Sequence, residues 1–237
     1  SANSSCRATC SVTVTKSLNP VNLGTGFYAL IRNAGSGKLV DSTSVEDLSN
    51  IQLASEKKQD RQMWYFEYNS THQYYAISQG GFYIETQDGS GADGTNIRLY
   101  RVNECSAQHW YIQKDGDGYI LTSETAIGSC MDCQSGGTSD GTNIQLYTAN
   151  GTAAQRFYIE KTTPVKSVSL NNTSLRMTTG ATQTLTRSIS PSNATYQTVT
   201  WSSSNTSVAT VSGGTVTAVG QSGTITVKAA AKDGSGV

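Results

Sequence analysis

The residues able to do chemistry in this 237-residue chain are few, and they do not assemble into a reaction centre. The two histidines, His72 and His109, sit apart, and His109 occupies the middle of a Gln-His-Trp triplet. The acid pair Glu46 and Asp47 lies in a polar stretch that reads as a solvated turn. No nucleophile stands with a base and an orienting group, which is the minimum for acyl or phosphoryl transfer. Catalysis is therefore not expected. Five cysteines fall at 6, 10, 105, 130 and 133, an odd number that leaves at least one free or paired outside this stretch. Cys130-Met-Asp-Cys133 is a lone C-x-x-C without a second pair of ligands, so ordinary thiols or a disulfide are expected there. No metal and no cofactor are expected.

Composition closes other routes. Formal net charge is zero and 14% of residues are charged, so the long-range field that draws in nucleic acid is missing. No apolar run reaches the length of a membrane span, and no membrane insertion is expected. With no initiator methionine and no signal peptide, the chain reads as an internal or processed piece of a larger protein. Abundant Ser, Thr, Asn and Gly suit an extracellular β-protein.

What recurs is amide chemistry at a fixed spacing. Asn50, Asn96 and Asn143 each precede a glutamine, Gln62, Gln108 and Gln155, by twelve positions. Each asparagine opens a similar stretch: Asn50-Ile-Gln-Leu-Ala54, Asn96-Ile-Arg-Leu-Tyr100 and Asn143-Ile-Gln-Leu-Tyr147. Each glutamine starts a triplet ending on Trp64, Trp110 or Phe157. The copies follow one another at 46 and then 47 residues, a period that means one structural unit used three times. Within each unit, short alternating runs are separated by Asp-Gly and Gly-Thr turn signals. Tyr28-Ala-Leu-Ile, Tyr75-Ala-Ile and Tyr119-Ile-Leu open the units. Lys38 to Asp41, Phe82 to Glu85 and Ser129 to Asp132 follow. Four strands per unit, three times, predict a closed all-β body with pseudo-threefold symmetry, its core layered by Trp64, Trp110 and Phe157.

The chain divides accordingly. Residues 1–16 end in an alternating strand, 17–25 read as a linker, 26–161 hold the repeats and 162–164 form a second short linker. Residues 165–237 are dense in Val, Thr and Ser and carry one tyrosine, Tyr196, of the chain's twelve. Strands are expected at 168–170, 180–185, 199–205, 208–211, 214–219 and 223–227, in a β-sandwich with Trp201 in its core.

The threefold Gln-x-Trp pattern, with Gly-Thr-Asn-Ile-Gln-Leu-Tyr before its last copy, resembles the ricin-B-type β-trefoil lectins and carbohydrate-binding modules. The run from Val199 to Val227 resembles group 2 bacterial Ig-like domains. The resemblance implies an all-β protein, a β-trefoil followed by an Ig-like sandwich. It also implies up to one shallow sugar pocket per repeat: a carboxylate from the second strand, an aromatic ring from the third, and amides from the next loop and the repeat's glutamine.

Carried over by position, the third repeat has Asp132, Tyr147, Asn150 and Gln155, with Gln145 as a neighbour. The second has Glu85, Tyr100, Asn103 and Gln108, where the longer acid should push its carboxylate outward. The first has Asp41 and Gln62 but Ala54 and Lys57 at the aromatic and loop positions, and should be silent. The implied partners are glycans or polysaccharides, galactose- or xylose-type. The setting is a secreted or cell-surface bacterial protein in which the Ig-like module is a spacer. The competing reading is a structural or adhesive segment whose drifted trefoil binds a protein. The Ig-like family usually continues past the turn at which this sequence stops, and Ala8 to Val14 looks like that last strand. Residues 8–15 are therefore expected to complete the sandwich, within one molecule or by exchange with a neighbour.

Overall fold

The computed structural model describes residues 18–220 and 222–237. The strand and strand-exchange role read into residues 8–15 lies outside the described residues. Among those described, the secondary structure is strand and four short 3-10 turns. No helix there is long and apolar enough to cross a membrane.

Twelve strands arise where alternating apolar residues meet glycine-rich turns. They are β1 (Phe27–Asn33), β2 (Leu39–Ser42), β3 (Ile51–Ala54), β4 (Trp64–Asn69), β5 (Tyr74–Gln79) and β6 (Phe82–Thr86) in the first half. The second half holds β7 (Ile97–Arg101), β8 (His109–Asp115), β9 (Gly118–Ser123), β10 (Ser129–Cys133), β11 (Ile144–Thr148) and β12 (Phe157–Thr162). Strands β1, β4, β5, β8, β9 and β12 pair in that order, and β12 returns to β1, which closes a six-stranded barrel. Closure removes the exposed sheet edge. The hairpins β2–β3, β6–β7 and β10–β11 make the threefold cap. This is a β-trefoil, four strands to each repeat.

Trp64, Trp110 and Phe157 are fully buried in the common core, as their recurrence predicts. The indole N–H of Trp64 donates to the Val40 carbonyl and that of Trp110 to Ile84, both at 3.0 Å. The repeated asparagines meet at the threefold axis. Asn50 Nδ2 donates to Asn143 Oδ1 at 2.9 Å, Asn143 Nδ2 to Asn96 Oδ1 at 3.0 Å, and Asn96 Nδ2 to Asn50 Oδ1 at 2.9 Å. Each amide gives one bond and takes one, so the three repeats close one ring.

Described residues of the stretch expected as a first linker, 17–25, pack on the trefoil. Val21 N donates to Ile112 O, Leu23 N reaches the Tyr75 hydroxyl, and both side chains pack on the core. Tyr75 is fully buried, and its hydroxyl could not be left there without such partners.

Seven further strands form the C-terminal module: β13 (Ser167–Leu170), β14 (Thr182–Thr184), β15 (Arg187–Ser190), β16 (Val199–Ser203), β17 (Ala209–Ser212), β18 (Thr215–Ala218) and β19 (Val227–Ala231). They pair as β13–β15, β14–β18–β17 and β16–β19. Two points differ from expectation. Strand β15 was not foreseen, because Arg187-Ser-Ile-Ser190 carries one apolar residue. The last strand starts at Val227 rather than ending there, since pairing begins at Ser203 opposite Val227. Trp201 lies half-buried against a small core of Leu185, Ala209 and Val216. The module docks on the trefoil through Tyr196, which is buried against Leu30, Leu39, Met63 and Tyr28.

Candidate functional site

In the third repeat, Asp132 on β10 stands directly opposite Gln145 on β11. Gln145 Nε2 donates to Asp132 Oδ1 at 2.9 Å, which fixes the carboxylate. Tyr147 follows two residues along β11 and so leaves the same face of the hairpin. Its ring is 40% exposed, the signature of a side chain outside the core. Asn150 lies exposed just beyond the strand end, its Oδ1 accepting from Thr152 N at 3.1 Å. Asp132, Gln145, Tyr147 and Asn150 line one open cleft of about 700 Å³ with Asn33 and the turn at 134–138. That turn needs its glycines. Gly136 has φ +65°, and a Cβ on Gly137 would lie 2.7 Å from the Thr142 methyl. Burial raises the Asp132 pKa, and the amides of Gln145 and Gln155 pull it back down.

Gln155 is 1% exposed and turned away from solvent. Its Oε1 accepts from Asn150 N at 2.7 Å and its Nε2 donates to Thr148 O at 3.0 Å. Gln108 makes the same pair with Asn103 N and Arg101 O, and Gln62 with Lys57 N and Ser55 O. Each glutamine therefore holds the loop that follows the third strand of its repeat.

The second repeat is arranged differently. Arg98 occupies the register position of Gln145, opposite Glu85. Its Nε lies 3.1 Å from Glu85 Oε1, and Nη2 is 2.9 Å from Asp88 Oδ1. Glu85 is buried, its carboxylate held by the guanidinium. Burial raises its pKa and Arg98 opposes that rise. The guanidinium carbons of Arg98 and Arg101 lie 5.2 and 5.3 Å from the centre of the Tyr100 ring. Asn103 is exposed at its loop position, its Oδ1 accepting from Cys105 N.

In the first repeat Asp41 is fully buried, and neither carboxylate oxygen has a hydrogen bond. Lys57 Nζ is 3.9 Å away. Burial raises the Asp41 pKa, partly offset by Lys57 and Arg61. A folded-state pKa above the unfolded value means the folded form gains stability on protonation and loses it as pH rises through that pKa. Asp41→Asn removes the charge, so it should raise stability at pH 7 by about 1–3 kcal/mol. The gain should shrink as pH falls through the Asp41 titration. Denaturant melts of both proteins at pH 7 and pH 4 check this. An equal or lower midpoint for the variant at pH 7 refutes it.

One cleft residue was not singled out from the sequence. Asn33 ends β1 in the cleft wall and donates Nδ2 to Ala153 O at 3.0 Å, tying two loops together. Its signal was an asparagine before the turn Ala34-Gly-Ser-Gly37. Cys130 and Cys133 sit three apart on an extended strand, so their side chains leave on opposite faces. They cannot bridge each other there, and burial in the core pushes the Cys133 thiol up to about 12. Among the described residues no three His, Cys, Asp or Glu side chains gather at a metal-sized site.

The model of the ricin-type beta-trefoil lectin domain-like family matches three overlapping stretches, residues 18–100, 60–147 and 106–187. That of the group 2 bacterial Ig-like domain matches residues 164–237. No curated protein matches the chain. Among solved structures, the designed threefold symmetric protein ThreeFoil is 27% identical, covering 56% of this chain and 97% of its own, with a TM-score of 0.54. An exo-beta-1,3-galactanase from Clostridium thermocellum is 26% identical with a TM-score of 0.54; 57% of this chain aligns with 30% of the galactanase. A ricin B-like lectin from Macrolepiota procera, solved with lactose, shares the fold at 19% identity and a TM-score of 0.50, covering 59% of this chain and 99% of its own.

Proposed function

We propose that this chain, which belongs to the ricin-type beta-trefoil lectin domain-like family, binds glycans without catalysis through the third-repeat cleft. The observation that carries the reading is the difference between repeats. Only in the third does a solvent-facing ring stand beside a carboxylate that no cation has taken. A sugar offers an apolar C–H face and a fan of hydroxyls. Tyr147 supplies the platform for the first, Asp132 accepts from the second, and Asn150 adds an amide at the rim. Gln145 and Gln155 hold these groups in place.

The galactanase relative supports a galactose-type sugar, with xylose-type the other candidate. The Ig-like module is read as a spacer within a larger secreted or surface bacterial protein. One open, wet site should be weak, and a millimolar dissociation constant corresponds to about 4 kcal/mol. Retention on a polysaccharide would come from several linked modules.

NMR titration of the full chain with galactose, lactose, xylose and glucose tests this. Millimolar saturation by a galactose- or xylose-type sugar, with shifts confined to residues 132–138 and 145–152, is expected. Shifts centred on Glu85 and Tyr100, or no shifts with any glycan, would overturn the assignment.

A further inference from the structure

A second concavity, about 430 Å³, opens on the wall of the second repeat, away from the sugar cleft. Tyr68, Tyr74, Tyr83 and His109 line it, with Glu67 and Glu104 at its mouth. Tyr74 and His109 stack with centroids 3.7 Å apart. Among the described residues neither glutamate has an ion pair. No lysine or arginine lines the concavity. The Tyr83 pKa is raised by burial and then by the charges of Glu67, Tyr65 and Glu104.

Internal symmetry shows what such a concavity accepts. Strand register equates Tyr74 with Tyr28, since each opposes the fifth residue after a core aromatic, Asn69 or Thr162. It equates Tyr83 with Leu39, which oppose Tyr100 and Ala54. It also equates Ala76 with Leu30, His109 with Met63 and Glu67 with Glu160. The first-repeat version is therefore the socket filled by Tyr196. There the carboxylate is not alone: Arg32 donates Nε to Glu160 at 2.7 Å and also pairs with Glu56. Glu56 in turn accepts from the Tyr196 hydroxyl. In the second repeat Ser78 stands where Arg32 would be, and the guanidinium is gone. Its acid Glu67 remains, Glu104 is added, and Leu30 has shrunk to Ala76. The same socket has lost both occupants and kept the charge that held one of them.

We propose that this socket binds an arginine side chain presented by a partner protein. A guanidinium is flat enough to lie on tyrosine rings and carries the fork of donors that two carboxylates accept, which a point-charge ammonium does not. The occupied socket of the first repeat uses the same pairing within the chain.

The probe is the capped tripeptide Gly-Arg-Gly, titrated into the full chain and followed by NMR. Shifts at Tyr74, Tyr83 and His109 are expected, and the peptide with neutral citrulline should bind at least tenfold more weakly. The double substitution E67Q/E104Q, at exposed positions that leave the fold intact, should weaken arginine binding at least tenfold, and Tyr83→Leu should also weaken it. Saturating lactose and Tyr147→Ala should leave it unchanged, which separates this test from the sugar assignment. Equal binding of the citrulline or lysine peptide overturns the proposal, as does indifference to E67Q/E104Q. A sugar that shifts these residues while the peptide does not would assign the socket to glycans and overturn it too.

Discussion

Tyr147→Ala should lower glycan affinity by about 10- to 100-fold while leaving the melting midpoint nearly unchanged. The ring is 40% exposed and belongs to none of the buried clusters, so its loss opens no cavity. What it loses is apolar area covered by the sugar, worth about 1.5–3 kcal/mol for a fully covered ring. Each 1.4 kcal/mol is roughly tenfold in affinity. Tyr100→Ala is the matched control. Its ring lies near two guanidinium groups, and its acid is paired to Arg98, so binding should not change. Calorimetric titration with the best sugar, beside a thermal melt of each variant, reads both quantities. Wild-type affinity in Tyr147→Ala would remove the third-repeat cleft from the account.

Gln155→Ala and Gln108→Ala should each cost about 2–3 kcal/mol of stability, and only the first should weaken glycan binding. Each glutamine is 1–2% exposed and makes two hydrogen bonds to its own loop. Truncation strands an N–H and a carbonyl as well as removing the bonds, and an unsatisfied buried group costs about 1–3 kcal/mol. The loop held by Gln155 carries Asn150 and follows Tyr147, whereas the loop held by Gln108 carries no third-repeat residue. Denaturant melts combined with sugar titrations separate the cases. If Gln155→Ala abolished binding at unchanged stability, its amide would be a direct sugar contact and not a pin.

The strands were legible because the period that marks them is also the period of the fold. Asn50, Asn96 and Asn143 stood out as period markers, yet no local pattern says that their amides close a ring; that needs three distant segments brought to one axis. The third-repeat residues were legible by type and place. The fate of Glu85 was not, because it turned on Arg98, thirteen positions later in sequence and directly across a hairpin. Tyr196 was visible as the lone tyrosine of its module. Its socket is assembled from Tyr28, Leu30, Leu39 and Met63, whose alternation reads equally well as ordinary strand burial. The asparagine ring joins three side chains and the glutamine pins join side chains to loop backbone, and composition carries no trace of either.

Pairing of β1 with β12 places the entry and exit of the trefoil side by side, Tyr28 opposite Thr162. Tension drawn through the chain at these two points would act across the hydrogen-bonded ladder and open it from that end, one rung at a time, rather than load its rungs together in shear. Tyr28 is also one wall of the Tyr196 socket, so the C-terminal module sits on the first rung to open. Resistance to opening at that end then rests on this clasp together with the bonds of the entering segment beside it, Val21 to Ile112, Leu23 to Tyr75 and Lys161 to Leu23.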